Sequence, residues 1–132
     1  MKLIYPAIFT PCMENDGFTV VVPDLAGCVT EGNNLENAIE MGIDAASGWI
    51  LGELEEGNTI PTPSNYKDIV LTDENSFINL LLLDISSYAE KYGNKSVRRN
   101  ISLPAWLNTF GEKNNINFSK VLQDSLLKMA QH

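Results

Sequence analysis

Residues 17–40 read GFTVVVPDLAGCVTEGNNLENAIE, and two periods meet inside this stretch. Phe18 to Val22 is a β-branched run of the kind that fits a pleated sheet. PDLAG, residues 23–27, breaks it, and residues 28–31 form a further short strand closed by Gly32. From Leu35 onward the apolar and small residues recur at helical spacing: Leu35, Ala38, Ile39, Gly42, Ala46, Trp49 and Ile50 make one stripe. Asn34 is a good N-cap, and Glu36 lies near the positive end of the helix dipole. Gly57 is a good stop, and Pro61 and Pro63 mark the exit. Gly42 and Gly48 weaken this helix in isolation and permit close approach to a sheet, so tertiary contact has to stabilise it.

Working outward, Lys2–Pro11 reads as a strand whose Pro6 argues for an edge or a bulge. NDG at 15–17 signals a hairpin through residues that tolerate positive φ. Three strands with short turns make a meander, and the helix is expected to pack across it. Downstream, TIPTPSNY is a loop and residues 67–71 form a short strand. The nearly unbroken apolar run 77–85 reads as a strand covered on both faces. Residues 86–95 are mixed and polar, with Gly93 and Asn94, and read as a linker.

Charge supports a division at that linker. The chain has 132 residues and a net charge of −8. Residues 1–93 hold 3 lysines and 15 carboxylates, a net −12, whereas residues 94–132 hold 6 basic and 2 acidic groups, a net +4. A sign change at one place points to two modules with different partners: an anionic one meets a cationic protein, a cationic one meets phosphates. With 44% apolar residues the chain can bury a real core. The N-terminal MKLIYPAIFTP lacks the pattern of a signal peptide, and the 77–85 run is too short for a bilayer, so no membrane association and a cytoplasmic location are expected. Cys12 and Cys28 stand far apart and are expected to be reduced and packed.

The second module opens with both arginines of the chain in KSVRRNISLPAWL, from Lys95. Val97, Ile101 and Leu103 share one face of a strand, and Arg98, Asn100 and Ser102 the other. Arg99 falls by parity on the apolar face near the strand's start. Pro104 suits the first turn of a helix. Leu107, Phe110, Gly111 and Asn114 are helically spaced, and Asn115 can take the left-handed conformation that ends a helix. Asn117 caps a second helix carrying Phe118, Val121, Leu122, Ser125, Leu126 and Met129 on one side. One strand and two short helices cannot enclose a core. A second copy is the simplest remedy: two strands pair antiparallel over four helices. The ribbon then projects Arg98, Asn100 and Ser102 twice over, as the DNA major groove accommodates. The N-terminus of the last helix, with Asn117, Ser119 and Lys120, offers N–H groups to a phosphate.

At this point a resemblance emerges. RRNISLPAWL followed by NINFSKVLQDSLLKMA is similar to the ribbon-helix-helix domain of HicB-type antitoxins of bacterial toxin–antitoxin systems. The first stretch resembles the core pattern of the same family through Pro23, Asp24, Leu25, Gly27, Cys28, Glu31, Gly32, Leu35, Glu36 and Ala38. The resemblance implies an α+β chain: a partial ribonuclease-H-like meander with a packed helix in residues 1–86, a linker at 87–95, and a ribbon-helix-helix in 96–132. It implies that the first domain masks a small basic HicA-type RNase toxin, through residues the sequence does not identify. The second would bind, as a homodimer, the operator of its own operon and repress it. A separate expectation is that two dimers assemble through the N-terminal domains into a tetramer. Arg99 departs from the commonly apolar residue of such ribbons, and whether it reaches a phosphate or lies at the frayed end stays open.

Other chemistries are weakly signalled. Asp24 invites a metal-nuclease reading with Glu31, Asp16 or Glu14, against a turn-capping role through its own backbone. The single histidine, His132, is terminal, so no nucleophile–histidine pair is expected, and no catalytic residue, metal site or cofactor is assigned. Trp49 is expected in the core, and Trp106 is expected to pack there or against the linker. Met13 and Glu14 are expected to face solvent. The rival to the antitoxin reading is a stand-alone ribbon-helix-helix regulator with a ligand-sensing N-terminal domain.

Overall fold

The computed structural model describes residues 1–93 and 97–131. Residues 94–95 of the expected linker, residue 96 and His132 lie outside the described residues. The chain is α+β and divides into two compact units, Lys2–Asn94 and Lys95–His132.

In the first unit β1 (Lys2–Pro11), β2 (Phe18–Val21) and β3 (Val29–Gly32) form the expected meander, and β4 (Phe77–Asp84) adds the fourth strand. The sheet is antiparallel with the order β3-β2-β1-β4. Strand β1 is therefore central, contrary to the edge suggested by Pro6. Its pairing explains the tolerance: β2 covers only Ile8 to Pro11, so at Pro6 the strand has β4 alone as a neighbour. Proline's missing donor costs least where one side of the ladder is empty.

The hairpin after β1 is not held by positive φ at Asn15, Asp16 or Gly17. Instead the Asn15 side chain accepts from Gly17 N–H at 2.7 Å, and Cys12 N–H donates to Gly17 C=O at 2.9 Å. An Asx link of this kind substitutes a side-chain acceptor for a backbone one.

Helix α1 (Leu35–Glu55) is capped as expected: Asn34 accepts from Asn37 N–H at 2.8 Å. At its other end Gly57 takes φ 79°. Gly57 N–H reaches Leu54 C=O at 3.1 Å and Asn58 N–H reaches Glu53 C=O at 2.9 Å, the paired bonds of a Schellman motif. The helix lies close on the sheet because Gly42 lets it. A Cβ there would stand 3.2 Å from both Leu81 and Val20. Register places Tyr5 opposite Leu81 and Phe9 opposite Val20 and Phe77, so these side chains share the covered face. Tyr5, Phe9, Val20, Ile50, Leu81 and Leu83 are fully buried. Each such burial contributes about 1.5–3 kcal/mol, and the Phe9 and Phe77 rings also stack at 5.5 Å.

Three expectations fail downstream. β4 is covered unequally: Leu81 and Leu83 are fully buried, whereas Leu80 and Leu82 are 48% and 55% exposed. The polar segment after it is no linker over most of its length but a helix, α2 (Ile85–Tyr92), entered directly from the strand. Asp84 caps it, accepting from Ser87 N–H at 3.1 Å. Residues 67–71 hold no strand; a single 3₁₀ turn, Tyr66–Asp68, sits there under an Asn65 cap.

The second unit contains α3 (Ala105–Lys113) and α4 (Phe118–Ala130). Pro104 stands at the N-cap of α3. Asn115 takes φ 54°. Its N–H donates to Glu112 C=O and that of Ile116 to Gly111 C=O, a second Schellman stop. Gly111, the one buried residue described in this unit, lies beneath the Phe118 ring.

Candidate nucleic-acid interface

The seven residues expected to meet DNA all lie exposed in the second unit and fall into two groups. Arg98, Arg99, Asn100 and Ser102 belong to residues 97–103, which carry no regular secondary structure. The strand expected there is absent from the single chain. Strands persist through ladder bonds, and the four strands described all belong to the sheet of the first unit. Asn117, Ser119 and Lys120 form the second group, at the first turn of α4. Asn117 caps it, accepting from Lys120 N–H at 3.1 Å. The Lys120 ammonium lies 3.8 Å from Asp124, one turn on, with both side chains largely exposed. Such a pair contributes little and leaves the cation accessible.

The apolar residues of this unit are exposed as well. Ile101 is 56% exposed, Val121 54% and Trp106 70%; Leu103, Phe110, Phe118, Leu126 and Met129 are also in the open. Trp106 therefore does not pack in a core of its own chain, contrary to expectation. The apolar stripe read along α4 is present as a helix face: Phe118 packs on Gly111 of α3, while Val121, Leu126 and Met129 stay largely exposed among the described residues.

Asp24 has a structural task in the first unit. Its carboxylate accepts from Ser64 N–H at 2.8 Å and from Ser64 Oγ at 2.5 Å. It thus ties the 58–65 loop to the turn between β2 and β3 and does not cap its own turn as the sequence suggested. The Tyr5 hydroxyl donates to Pro61 C=O in the same loop. Burial, and next the Asp24 charge, push the Tyr5 phenol above its ordinary pKa, which keeps it a donor. No sequence signal marked Ser64, forty residues away. Among the described residues no group of three or more His, Cys, Asp or Glu could hold a metal ion. Trp49 is half-buried, donating through Nε1 to Ala26 C=O at 3.0 Å, not wholly in the core. Cys28 is buried and Cys12 partly so, both as free thiols; burial raises the pKa of Cys28. Met13 and Glu14 face solvent as expected. No helix among the described residues is long and apolar enough to cross a membrane.

Known proteins resemble the chain in sequence or in fold. A Haemophilus phage HP1 protein, described as an uncharacterized 14.9 kDa protein in the rep-hol intergenic region, is 31% identical over 116 residues, covering 80% of this chain and 76% of that protein. Among solved structures, a toxin–antitoxin complex from Streptococcus pneumoniae contains a chain similar in fold. Its TM-score is 0.62 at 23% identity, with 98% of this chain and 99% of that one covered. The Burkholderia pseudomallei antitoxin HicB gives a TM-score of 0.57 at 21% identity, covering 96% and 98%. The family described as "HicB_like antitoxin of bacterial toxin-antitoxin system" matches residues 5–123. The chain belongs to this HicB-like antitoxin family.

Proposed function

We propose that the chain neutralises a small basic HicA-type RNase by binding it through the acidic first unit, and represses its own operon through the second. In this reading residues 1–86 carry the partial ribonuclease-H-like domain, extended by α2, and residues 96–132 the ribbon-helix-helix. Family membership supports the toxin-facing role. The net −12 of residues 1–93 suits a cationic protein partner.

The observation that carries the DNA-binding role is the open apolar face of α3 and α4. Side chains such as Ile101, Leu103, Phe110, Val121 and Leu126 stand in solvent, and large exposed apolar patches mark interaction sites. A second copy covers it, residues 97–103 of two chains pair into a ribbon, and Arg98, Asn100 and Ser102 point away from the new core. Arg98 suits guanine, Asn100 adenine, and Ser102 either. Asn117, Ser119 and Lys120 then set phosphates at the start of α4, with Arg99 at the ribbon's end. Two such dimers joining would give a tetramer. Reading an operator requires the compartment that holds the DNA, which is why a cytoplasmic location accompanies the proposal.

Co-purification with a small basic HicA-type protein, followed by a gel shift on the DNA upstream of the chain's gene, tests both roles. Fixed stoichiometry and a salt-sensitive shifted band are expected. An isolated, well-folded monomer of residues 95–132 at micromolar concentration would refute the dimer and the repressor role with it.

A further inference from the structure

Between α1 and α2 the first unit opens a cleft of about 380 Å³. Ile43 and Leu82 supply apolar lining. Tyr88 and Tyr92 supply an aromatic one, their rings 4.9 Å apart and tilted by 44°. Tyr88 is fixed against α1, where a Cβ on Gly48 would come within 2.9 Å of its hydroxyl oxygen. The same cleft is lined by Glu40, Asp44 and Asp84 and by the cation Lys91, with Lys2 and the N-terminal amine also acting on Asp84. Glu40 and Asp44 stand one turn apart on α1, a like-charge spacing that costs stability. Glu40 has no hydrogen bond or ion pair in the described structure; burial, and next the Asp44 charge, push the Tyr88 phenol above its ordinary pKa.

We propose that this cleft receives an arginine or lysine side chain of the cationic protein partner. The tyrosine faces attract such a cation through the ring quadrupole. The carboxylates pair with its charge, and the apolar lining takes its aliphatic stem. Charge complementarity selects this occupant over the others. Phosphates of a nucleic acid or an anionic membrane meet three carboxylates, and a second first unit brings another −12. The proposal rests on the reading of the first unit as the toxin-binding one.

The test uses the full chain and its Glu40→Gln/Asp44→Asn variant. Each is titrated with acetyl-Gly-Arg-Arg-Gly-amide and with the alanine analogue of that peptide, while ring NMR signals of Tyr88 and Tyr92 are followed. Saturable shifts at both rings are expected for the arginine peptide alone, and a roughly 2- to 30-fold weaker affinity in the variant, which loses two carboxylate–cation pairs. The variant's unfolding midpoint should hold or rise, since a repulsion has gone; a fall with no loss of binding would mark a structural role and overturn the proposal. Shifts scattered over the acidic surface would overturn it too, as would a change in self-association in the variant. In a second arm both forms are tested for binding to a small basic HicA-type protein. Equal binding by both removes the cleft and leaves the toxin-binding reading standing. Failure of the wild type here, with peptide still bound at the cleft, removes the toxin-binding reading instead.

Discussion

Asn115 occupies the left-handed region that most side chains avoid, and the turn between α3 and α4 depends on it. Asn115→Ala should destabilise the second unit by about 1 kcal/mol, whereas Asn115→Gly should be neutral or slightly stabilising. Amide exchange at the end of α3 would separate the two. Asp84 acts on a different variable. The Ser87 backbone N–H, and next its hydroxyl, hold the Asp84 carboxyl below the usual carboxylate range, with smaller help from Lys2 and the N-terminal amine. The folded state therefore keeps the charged form to lower pH than the unfolded chain does. The cap's contribution is complete above the ordinary carboxylate pKa and is lost as pH falls through the depressed folded value. Acid titration followed at α2 amides should show fraying below about pH 4 in the wild type. Asp84→Asn, which retains an acceptor but does not titrate, should remove that pH dependence. Single residues of this kind were the most legible part of the chain. Asn34, Gly57, Asn115 and Asn117 each satisfy a local backbone demand, and local demands are written in adjacent residues.

Elements were legible where their period was clean and misread where two sequence properties conflicted. The switch from alternation to helical spacing at residues 29–35 placed β3 and α1 within a residue or two. α2 was missed because SSYAEKYG is polar, while its cap, Asp84, lies inside an apolar run that looked continuous. In β4, leucines stand at both parities, so composition hid that its two faces are covered unequally; only tertiary packing decides that. The close contact between α3 and α4 was equally invisible, because it depends on two turns meeting in space. A Cβ on Gly111 would sit 2.3 Å from the Phe118 ring. Gly111→Ala should therefore separate the two helices and cost about 1–3 kcal/mol in the second unit. Concentration-dependent thermal melting would read this as weaker self-association, with toxin binding by the first unit unchanged.

For the molecule as a whole, charge divides where fold does. The proposed roles are then separable by mutation. Arg98→Ala should weaken operator binding by about 1–3 kcal/mol and relax sequence preference, while co-purification of the toxin continues. Competition gel shifts on altered operators would measure the first and a pull-down the second; simultaneous loss of both would refute independent modules. Arg98, Asn100 and Ser102 are named as an interface from the alternation in 97–103 alone; a single chain forms no strand there, and the two-chain ribbon that would join them belongs to the proposal.

The uncovered face of α3 and α4 has a consequence for dosage. A reader of DNA that exists only as a pair scales with roughly the square of protein concentration when pairs are scarce, whereas neutralisation by a self-contained sheet domain scales in proportion. On the proposed reading, depletion of the chain would let transcription resume while the remaining molecules still hold a toxin, so new synthesis would begin before any poison is set free.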